Sequence, residues 1–155
     1  MRIPMLSSLT IGVTQTVLLA QAPAATQRDA VQAFVRSYVE AVNRTDVTAW
    51  LDMHVRSPEL LTVDNGAVTR GWDALRVEGD RMRGTPEGAF RISPGTVAVL
   101  SLGVSRALAV SPFVVTVNRE PGPVQLRGAT TFILDNTPDG WRILHANTSM
   151  ARPSP

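Results

Sequence analysis

The sequence predicts an α+β fold, in which about three N-terminal helices pack on one face of a strongly curved antiparallel sheet. Apolar residues first recur at helical spacing. From residue 91 onward they form alternating runs that turn-forming residues separate. The length of 155 residues favours one domain. We predict that this domain spans residues 26–150 and that residues 151–155 form a disordered tail.

Composition narrows the class of protein before any motif is considered. A hydrophobic fraction of 44% with 18% charged residues is typical of a globular domain. The sequence has no cysteine, which excludes disulfides and a cysteine nucleophile, and no lysine, which excludes Schiff-base chemistry. The net charge is only +2 and the arginines are dispersed, which argues against nucleic-acid binding. No cofactor or metal site is predicted, because no phosphate loop, dinucleotide fingerprint or third metal ligand occurs at a recognised spacing.

The N-terminal segment, MRIPMLSSLTIGVTQTVLLAQAPAATQ, differs from the rest of the chain. A basic start at Arg2 precedes an apolar stretch, and the letters AQA at positions 20–22 have the small-x-small form of a signal-peptidase site. We predict an export signal over residues 1–22, cleaved after Ala22 or alternatively after Ala24. The mature protein would then be secreted or periplasmic, with no further membrane contact. The alternative is an extension without a targeting role and a cytoplasmic protein.

Two helices are predicted next. Apolar residues at helical spacing place the first helix over residues 30–43. Asp46 is a good N-cap for a short second helix, which carries Trp50 and His54 on one side and stops before Pro58.

A hairpin and a third helix follow. Asn65-Gly66, between the short runs 60–64 and 67–70, is the strongest short-range signal for a tight hairpin turn. Spaced apolar residues then predict a helix over residues 72–82.

The remaining sequence is rich in predicted strands. Ser111-Pro112 lies inside the longest of them and predicts a bulge or a sheet edge, since proline cannot donate a hydrogen bond to a neighbouring strand. The predicted strands cover residues 91–93, 96–102, 107–118, 125–134 and 141–150.

Three stretches, in this order, resemble the nuclear transport factor 2-like superfamily and, within it, the SnoaL-like domains. They are YVEAVNRTDVTAW in the first two helices, VDNGAVTRGWDAL from the hairpin into the third helix, and DGWRILHANTS in the last strand. The resemblance covers residues 28–150. It implies a cone-shaped fold with a pocket between helices and sheet, and a homodimer formed through the outer face of the sheet. The last stretch is also similar to the association domain of calcium/calmodulin-dependent kinase II, with Asn147 in place of a second histidine.

The last predicted strand suggests where polar groups face the pocket. Strict alternation places Trp141 and Ile143 on the same face as His145 and Asn147, so that this face is apolar at one end and polar at the other. Such a row is typical of a cavity wall. His145 would then be a candidate general acid or base. Alternatively, His145 and Asn147 bond to backbone or water and hold the strand in place.

Tyr38 and Asp64 resemble catalytic residues of ketosteroid isomerase, another member of the superfamily. Tyr38 lies on the helix that carries the donor tyrosine of that enzyme, and Asp64 lies close to the position of its base. The third group, a protonated aspartic acid, is missing, because residues 127–130 read Arg-Gly-Ala-Thr. Tyr38, Asp64 and His145 are the predicted catalytic residues. Alternatively, Asp64 is a turn residue and Tyr38 belongs to the core.

Aromatic and imidazole groups suggest the kind of molecule bound. A cavity with indole, phenol and imidazole groups suits a planar small organic molecule, although aromatic residues at helical spacing also fill cores. Arg106, Arg119 and Arg127 are expected to face solvent unless they bind an anionic ligand. The predicted ligand-binding residues are Tyr38, Trp50, His54, Trp72, His145 and Asn147.

Three functions therefore remain open from the sequence. The first is an exported domain that binds a small organic molecule without turnover. The second is an isomerase, lyase or hydrolase that uses acid–base residues in the pocket. The third is an oligomeric assembly domain whose pocket is vestigial.

Overall fold

The computed structural model describes residues 24–151, and the predicted export signal lies outside the described residues. Three helices come first, α1 (Ala24–Asn43), α2 (Val47–Asp52) and α3 (Trp72–Met82), which confirms the three predicted helices. Asp46 caps α2 as expected, because its Oδ1 accepts a hydrogen bond of 3.0 Å from the Ala49 N–H. Within residues 24–151, no helix is long and apolar enough to cross a membrane.

Within residues 24–151, seven strands form one curled, unclosed sheet. Their order is β2-β1-β7-β6-β5-β3, with β4 also paired to β5. All pairs are antiparallel except β1 with β7, which is parallel. The predicted α+β class is therefore confirmed. The strands are β1 (Leu61–Asp64), β2 (Ala67–Arg70), β3 (Phe90–Pro94), β4 (Ala98–Ser101), β5 (Arg106–Val117), β6 (Val124–Thr137) and β7 (Gly140–Met150).

The β1–β2 hairpin turns where the sequence predicted. Asn65 has a φ of 48° and Gly66 a φ of 91°, so both residues adopt the left-handed conformation that a two-residue primed turn requires. Asn65 also bonds to β7 on both its backbone and its side chain. Its N–H donates to the Thr148 carbonyl, and its Oδ1 accepts from the Met150 N–H, each at 2.9 Å. These bonds fix the hairpin against the last strand.

Pro112 causes no bulge. β5 pairs with β6 without interruption from Arg106 to Val117. On its other side, β5 pairs first with β4 and then with β3, and Pro112 lies in the gap between these partners. There its missing N–H costs no hydrogen bond, while its carbonyl accepts one of 2.7 Å from Gly95.

The irregularity lies instead in β7. Ile143 pairs with Leu134 and His145 pairs with Ile133, so Leu144 is an extra residue. At this point the segment that pairs with the other edge of β7 also changes. Ile143 exchanges backbone hydrogen bonds with residues 53 and 55, whereas His145 is the register partner of Leu61 in β1. The extra residue reverses the alternation of side chains from this position onward.

The core lies between α1 and the concave face of the sheet. Val31 and Val35 of α1 are fully buried against Phe132 and Leu134 of β6. The far end of α1 is tied to the edge strand β3, because the Asn43 side chain donates to the Ile92 carbonyl and accepts from its N–H, at 2.8 and 2.7 Å. A space remains open between the helices and the sheet.

Candidate functional site

A cavity of about 780 Å³ opens between the helices and the concave face of the sheet. Its volume lies within the range of small-molecule pockets. Most of its lining is apolar and comes from α1 and the strands β3, β5 and β6. The apolar lining residues include Val39, Val42, Phe90, Ile92, Phe113, Val115, Val117, Leu126 and Phe132.

Four of the sequence-predicted site residues lie around this cavity. Tyr38 comes from α1, Trp50 from α2, His54 from the segment after α2, and Asp64 from the end of β1. Their roles there stay predictions. Trp72 lies elsewhere, in a surface groove, where the Arg56 guanidinium sits 5.4 Å from the centre of its ring.

The prediction that His145 and Asn147 face the cavity is wrong. The bulge at Leu144 turns both side chains to the outer face of the sheet and brings Ala146 and Thr148 to the inner face. His145 is bonded through Nδ1 to the Leu61 carbonyl at 2.9 Å, and Asn147 is exposed. His145 thus links β7 to β1, as the alternative interpretation of this residue expected.

His54 is a neutral hydrogen-bond acceptor in the cavity wall. Its side chain is buried, with 2% of its surface exposed, and burial lowers its pKa to about 4. Nδ1 lies 2.9 Å from the Trp50 carbonyl oxygen, which can only accept, so Nδ1 carries the proton and Nε2 carries a lone pair. Trp50 and Tyr38 pack edge-on against the imidazole, at ring distances of 4.9 and 6.3 Å.

Tyr38 is a neutral hydrogen-bond donor. Burial raises the pKa of its hydroxyl, the polar side chain of nearby Trp50 opposes this, and the charge of Asp64 raises it further. The indole N–H of Trp50 can only donate, so it cannot take up the Tyr38 proton. The Tyr38 O–H is then left to donate to a molecule in the cavity.

Asp64 lies at the mouth of the cavity, where its side chain is exposed. Partial desolvation raises the pKa of its carboxyl. Its Oδ1 accepts a hydrogen bond of 2.9 Å from the Asn65 side-chain amide, which β7 holds in place. One carboxylate oxygen is thus oriented by the turn. No protein hydrogen bond to the other oxygen is present in residues 24–151.

Sequence reasoning missed the hydroxyl groups of the cavity. Ser111, Thr130 and Thr148 line it, and the Thr130 and Thr148 hydroxyls are hydrogen-bonded to each other at 3.0 Å. No motif marks these residues. The available signal was a polar residue at an inward position of a strand whose neighbouring inward positions are apolar, as at Ser111 between Ala109 and Phe113.

The strand arginines do not belong to the site. Arg106 binds Asp135 through a hydrogen bond of 2.6 Å, and Arg119 and Arg127 are exposed. None of the three lines the cavity. Across the described part of the chain, no cluster of three His, Cys, Asp or Glu side chains could hold a metal ion.

The helices, the curled sheet and the open cavity define a protein of the nuclear transport factor 2-like class, as the resemblance implied. The sequence profile of the SnoaL-like domain matches residues 31–153, so the chain belongs to the SnoaL-like domain family. No curated protein sequence matches the chain significantly.

Solved structures show the same fold. A proposed dehydratase of the NTF2-like family from Streptomyces avermitilis aligns with a TM-score of 0.71 at 18% identity, covering 82% of this chain and 97% of that one. The CaMKII hub of S. rosetta aligns with a TM-score of 0.69 at 20% identity, covering 79% and 95%. An NTF2-like superfamily protein from Salmonella enterica aligns with a TM-score of 0.68 at 21% identity, covering 84% and 95%. At these identities the likeness concerns the fold alone.

Proposed function

We propose that this protein binds a small organic molecule with an apolar body in the cavity of its cone. The observation that carries the proposal is an open volume of about 780 Å³ with apolar walls, into which a few polar groups converge. Tyr38 offers a donor and His54 an acceptor at the same wall. A vestigial pocket, as an assembly domain would have, is expected to be filled by side chains, and this one is open.

A matched pair of tryptophan substitutions on the β1–β2 hairpin tests the site. Ala67 lines the cavity mouth, whereas its neighbour Val68 points away and is 65% exposed. Ala67→Trp is expected to fill the mouth and weaken binding of the neutral fluorescent probe N-phenyl-1-naphthylamine by about tenfold or more. Val68→Trp adds the same indole outside the cavity and should change the affinity by less than about twofold. Fluorescence titration measures both, and equal affinities for the two variants would place the probe outside the cone.

An acid–base enzyme is the second candidate. The observation that favours it is that Asp64 and Tyr38 share one cavity, where the Asp64 carboxylate is close enough for its charge to affect the Tyr38 pKa. A carboxylate with a raised pKa is a better base near neutral pH, and the Tyr38 O–H can stabilise a developing oxyanion. The reaction class would be proton abstraction beside a carbonyl, as in an isomerase or a lyase.

A generic proton-abstraction probe tests this candidate. With 5-nitrobenzisoxazole, a base removes the ring C–H proton, the N–O bond breaks and a coloured nitrophenolate is released. Asp64→Asn is expected to lower the protein-catalysed rate by about a hundredfold, whereas Asp139→Asn, at an exposed turn, should not change it. The reactive form is the carboxylate, so the rate should rise with pH through the Asp64 pKa, at a pH above the usual range for aspartate. If Asp64→Asn and Asp139→Asn react at the same rate, and this rate equals that of a free carboxylate buffer, Asp64 is excluded as the base.

We also propose that two copies associate through the outer face of the sheet and that the protein is exported. Leu100 is 59% exposed on this face, beside half-buried Leu108 and Val110. A dimer would cover this apolar surface. A molar mass of one chain, measured by light scattering, would contradict the dimer. A secreted or periplasmic protein that still begins at Met1 would contradict cleavage of an export signal.

A further inference from the structure

Four polar side chains lie in one row across the concave face of the sheet. The register pairs Ser111 of β5 with Thr130 of β6, Thr130 with Thr148 of β7, and Thr148 with Asp64 of β1. All four line the cavity. We refer to Ser111, Thr130 and Thr148 as the hydroxyl row, which Asp64 extends toward the mouth.

The rows on either side of the hydroxyl row are apolar. On the side of the core, the corresponding positions are Ala109, Phe132 and Ala146. On the other side they are Phe113, Gly128 and Met150. The concave face thus has a single polar strip on these three strands, between two apolar strips that include phenylalanine rings.

Two of the three residues of the hydroxyl row are buried, Thr148 is half-buried, and one hydroxyl of the row makes no hydrogen bond to the described part of the chain. Ser111 is 3% exposed and Thr130 is 6% exposed. Thr130 and Thr148 bond to each other, but the Ser111 hydroxyl has no hydrogen-bond partner among residues 24–151. In the same part of the chain, no fully enclosed side-chain nitrogen or oxygen lacks a partner. The Ser111 hydroxyl therefore reaches the cavity space, where a bound molecule can satisfy it.

The distance between neighbouring hydroxyls of the row indicates which ligand groups the row can bind. The Thr130 and Thr148 hydroxyls are drawn together to 3.0 Å by their hydrogen bond, whereas Ser111 and Thr130 are not bonded to each other and lie on neighbouring strands, which are about 4.8 Å apart. Two oxygens in 1,3 positions on an aromatic ring are separated by nearly this strand spacing. A hydroxyl can both donate and accept, so it pairs equally with a phenol or with a carbonyl oxygen. The apolar strips on both sides suit the flat body of a ring system.

On the basis of the proposed function, we infer that the hydroxyl row recognises a ligand with an apolar, planar body and 1,3-spaced oxygens along one edge. Ser111 and Thr130 each bond to one oxygen of that edge. The ring bearing these oxygens lies between the apolar strips.

Two isomers with identical atoms test the inference. 3,5-Dihydroxystilbene carries its oxygens in 1,3 positions, whereas 4,4′-dihydroxystilbene carries them at opposite ends of the molecule. The protein is expected to bind the 3,5 isomer about tenfold more tightly, because it alone matches two neighbouring hydroxyls. Isothermal titration calorimetry measures both affinities.

Variants then assign the preference to the row. Ser111→Ala removes a hydroxyl that has no protein partner, so it should keep the fold, and it should weaken binding of the 3,5 isomer by about three- to tenfold. Thr148→Val should have a similar effect, because it removes the hydroxyl that is bonded to Thr130 and orients it. Affinity for the 4,4′ isomer should stay within about twofold. The matched control is Thr131→Val, next to Thr130 on β6, on the outer face, where the same loss of a hydroxyl should leave both affinities unchanged.

Three results would overturn the inference. They are equal affinity for the two isomers, no binding of the 3,5 isomer, and an unchanged preference in Ser111→Ala and Thr148→Val. The proposed function is judged separately, by the binding of N-phenyl-1-naphthylamine and its loss in Ala67→Trp. A protein that binds this probe but does not discriminate the isomers has a cavity that recognises shape alone.

Discussion

Phe132→Ala is expected to lower the free energy of unfolding by about 3–5 kcal/mol. Phe132 is 1% exposed, lies at the centre of the sheet on β6, and meets the Tyr38 ring edge-on at 5.1 Å. Its ring forms part of both the core and the cavity wall. Removing it leaves a void that joins the existing cavity, and packing against α1 is lost on that side. A domain of this size has a total stability of about 5–15 kcal/mol, so the loss is a large part of it.

Chemical denaturation measures the change, and the neighbouring residue provides the control. Ile133 lies on the outer face of the same strand and is half-buried. Ile133→Ala should therefore cost about 1–2 kcal/mol, less than the substitution of a fully buried side chain. If both variants lose the same stability, the concave side of β6 is not the packed side and the inward register described for Phe132 is wrong.

Acid is expected to destabilise the protein through His54. Burial holds its folded-state pKa at about 4, whereas the unfolded chain has the ordinary value of 6.5. Between these two values the unfolded state binds a proton that the folded state excludes. Stability from His54 is therefore complete above pH 6.5 and is lost progressively as the pH falls to 4. The full difference corresponds to about 3 kcal/mol.

The comparison of histidine variants isolates this effect. His54→Gln should flatten the stability profile between pH 6.5 and 4, whereas His145→Gln leaves His54 in place and keeps the loss that it causes. Asp64 contributes in the opposite direction, because its raised pKa makes the folded state bind a proton earlier than the unfolded state does. Denaturation curves at several pH values measure the slope. An equal slope in His54→Gln and in the unmodified protein would show that His54 is not held neutral by burial.

The elements of the fold could be predicted from the sequence, because each has a strong local cause. Asp46 caps α2 through its own side chain, and Asn65-Gly66 adopts the two left-handed conformations that few other residue pairs tolerate. The effect of the proline in β5 on strand pairing is harder to predict. Pro112 interrupts nothing, because the missing N–H falls where two partner strands leave a gap, and such gaps depend on the arrangement of distant strands.

The site could be predicted only in part. Tyr38 and Trp50 lie at the cavity because helical spacing determines which side of a helix faces the sheet. His54 also lines the cavity, but it follows the end of α2 and is held by a bridge to Ile143 of β7. Strict alternation along β7 predicts that His145 and Asn147 face the cavity, but the extra residue Leu144 reverses the alternation. This bulge arises where β7 changes neighbours, which no local pattern reveals. No sequence motif marks Ser111, and its alignment with the other hydroxyls depends on the register between strands.

The polar end of the pocket is therefore formed by the opposite face of β7 from the one that the sequence predicts. The sequence-based hypothesis relied on His145 and Asn147. In the structure, the inner face of β7 offers Thr148 instead, in register with Thr130 and Asp64. His54 and Tyr38 face the same cavity from the helical side. A molecule held between these two walls would contact polar groups on both.

The indole N–H signals of the three tryptophans offer the most direct test of where a small molecule binds. Trp50 lines the cavity, whereas Trp72 lies in a separate surface groove and Trp141 lies outside the cavity lining. In a ¹H–¹⁵N titration with N-phenyl-1-naphthylamine, the Trp50 signal is expected to shift while the other two stay in place. A Trp50 signal that does not move, with a shift at Trp72 or Trp141, would contradict binding inside the cone.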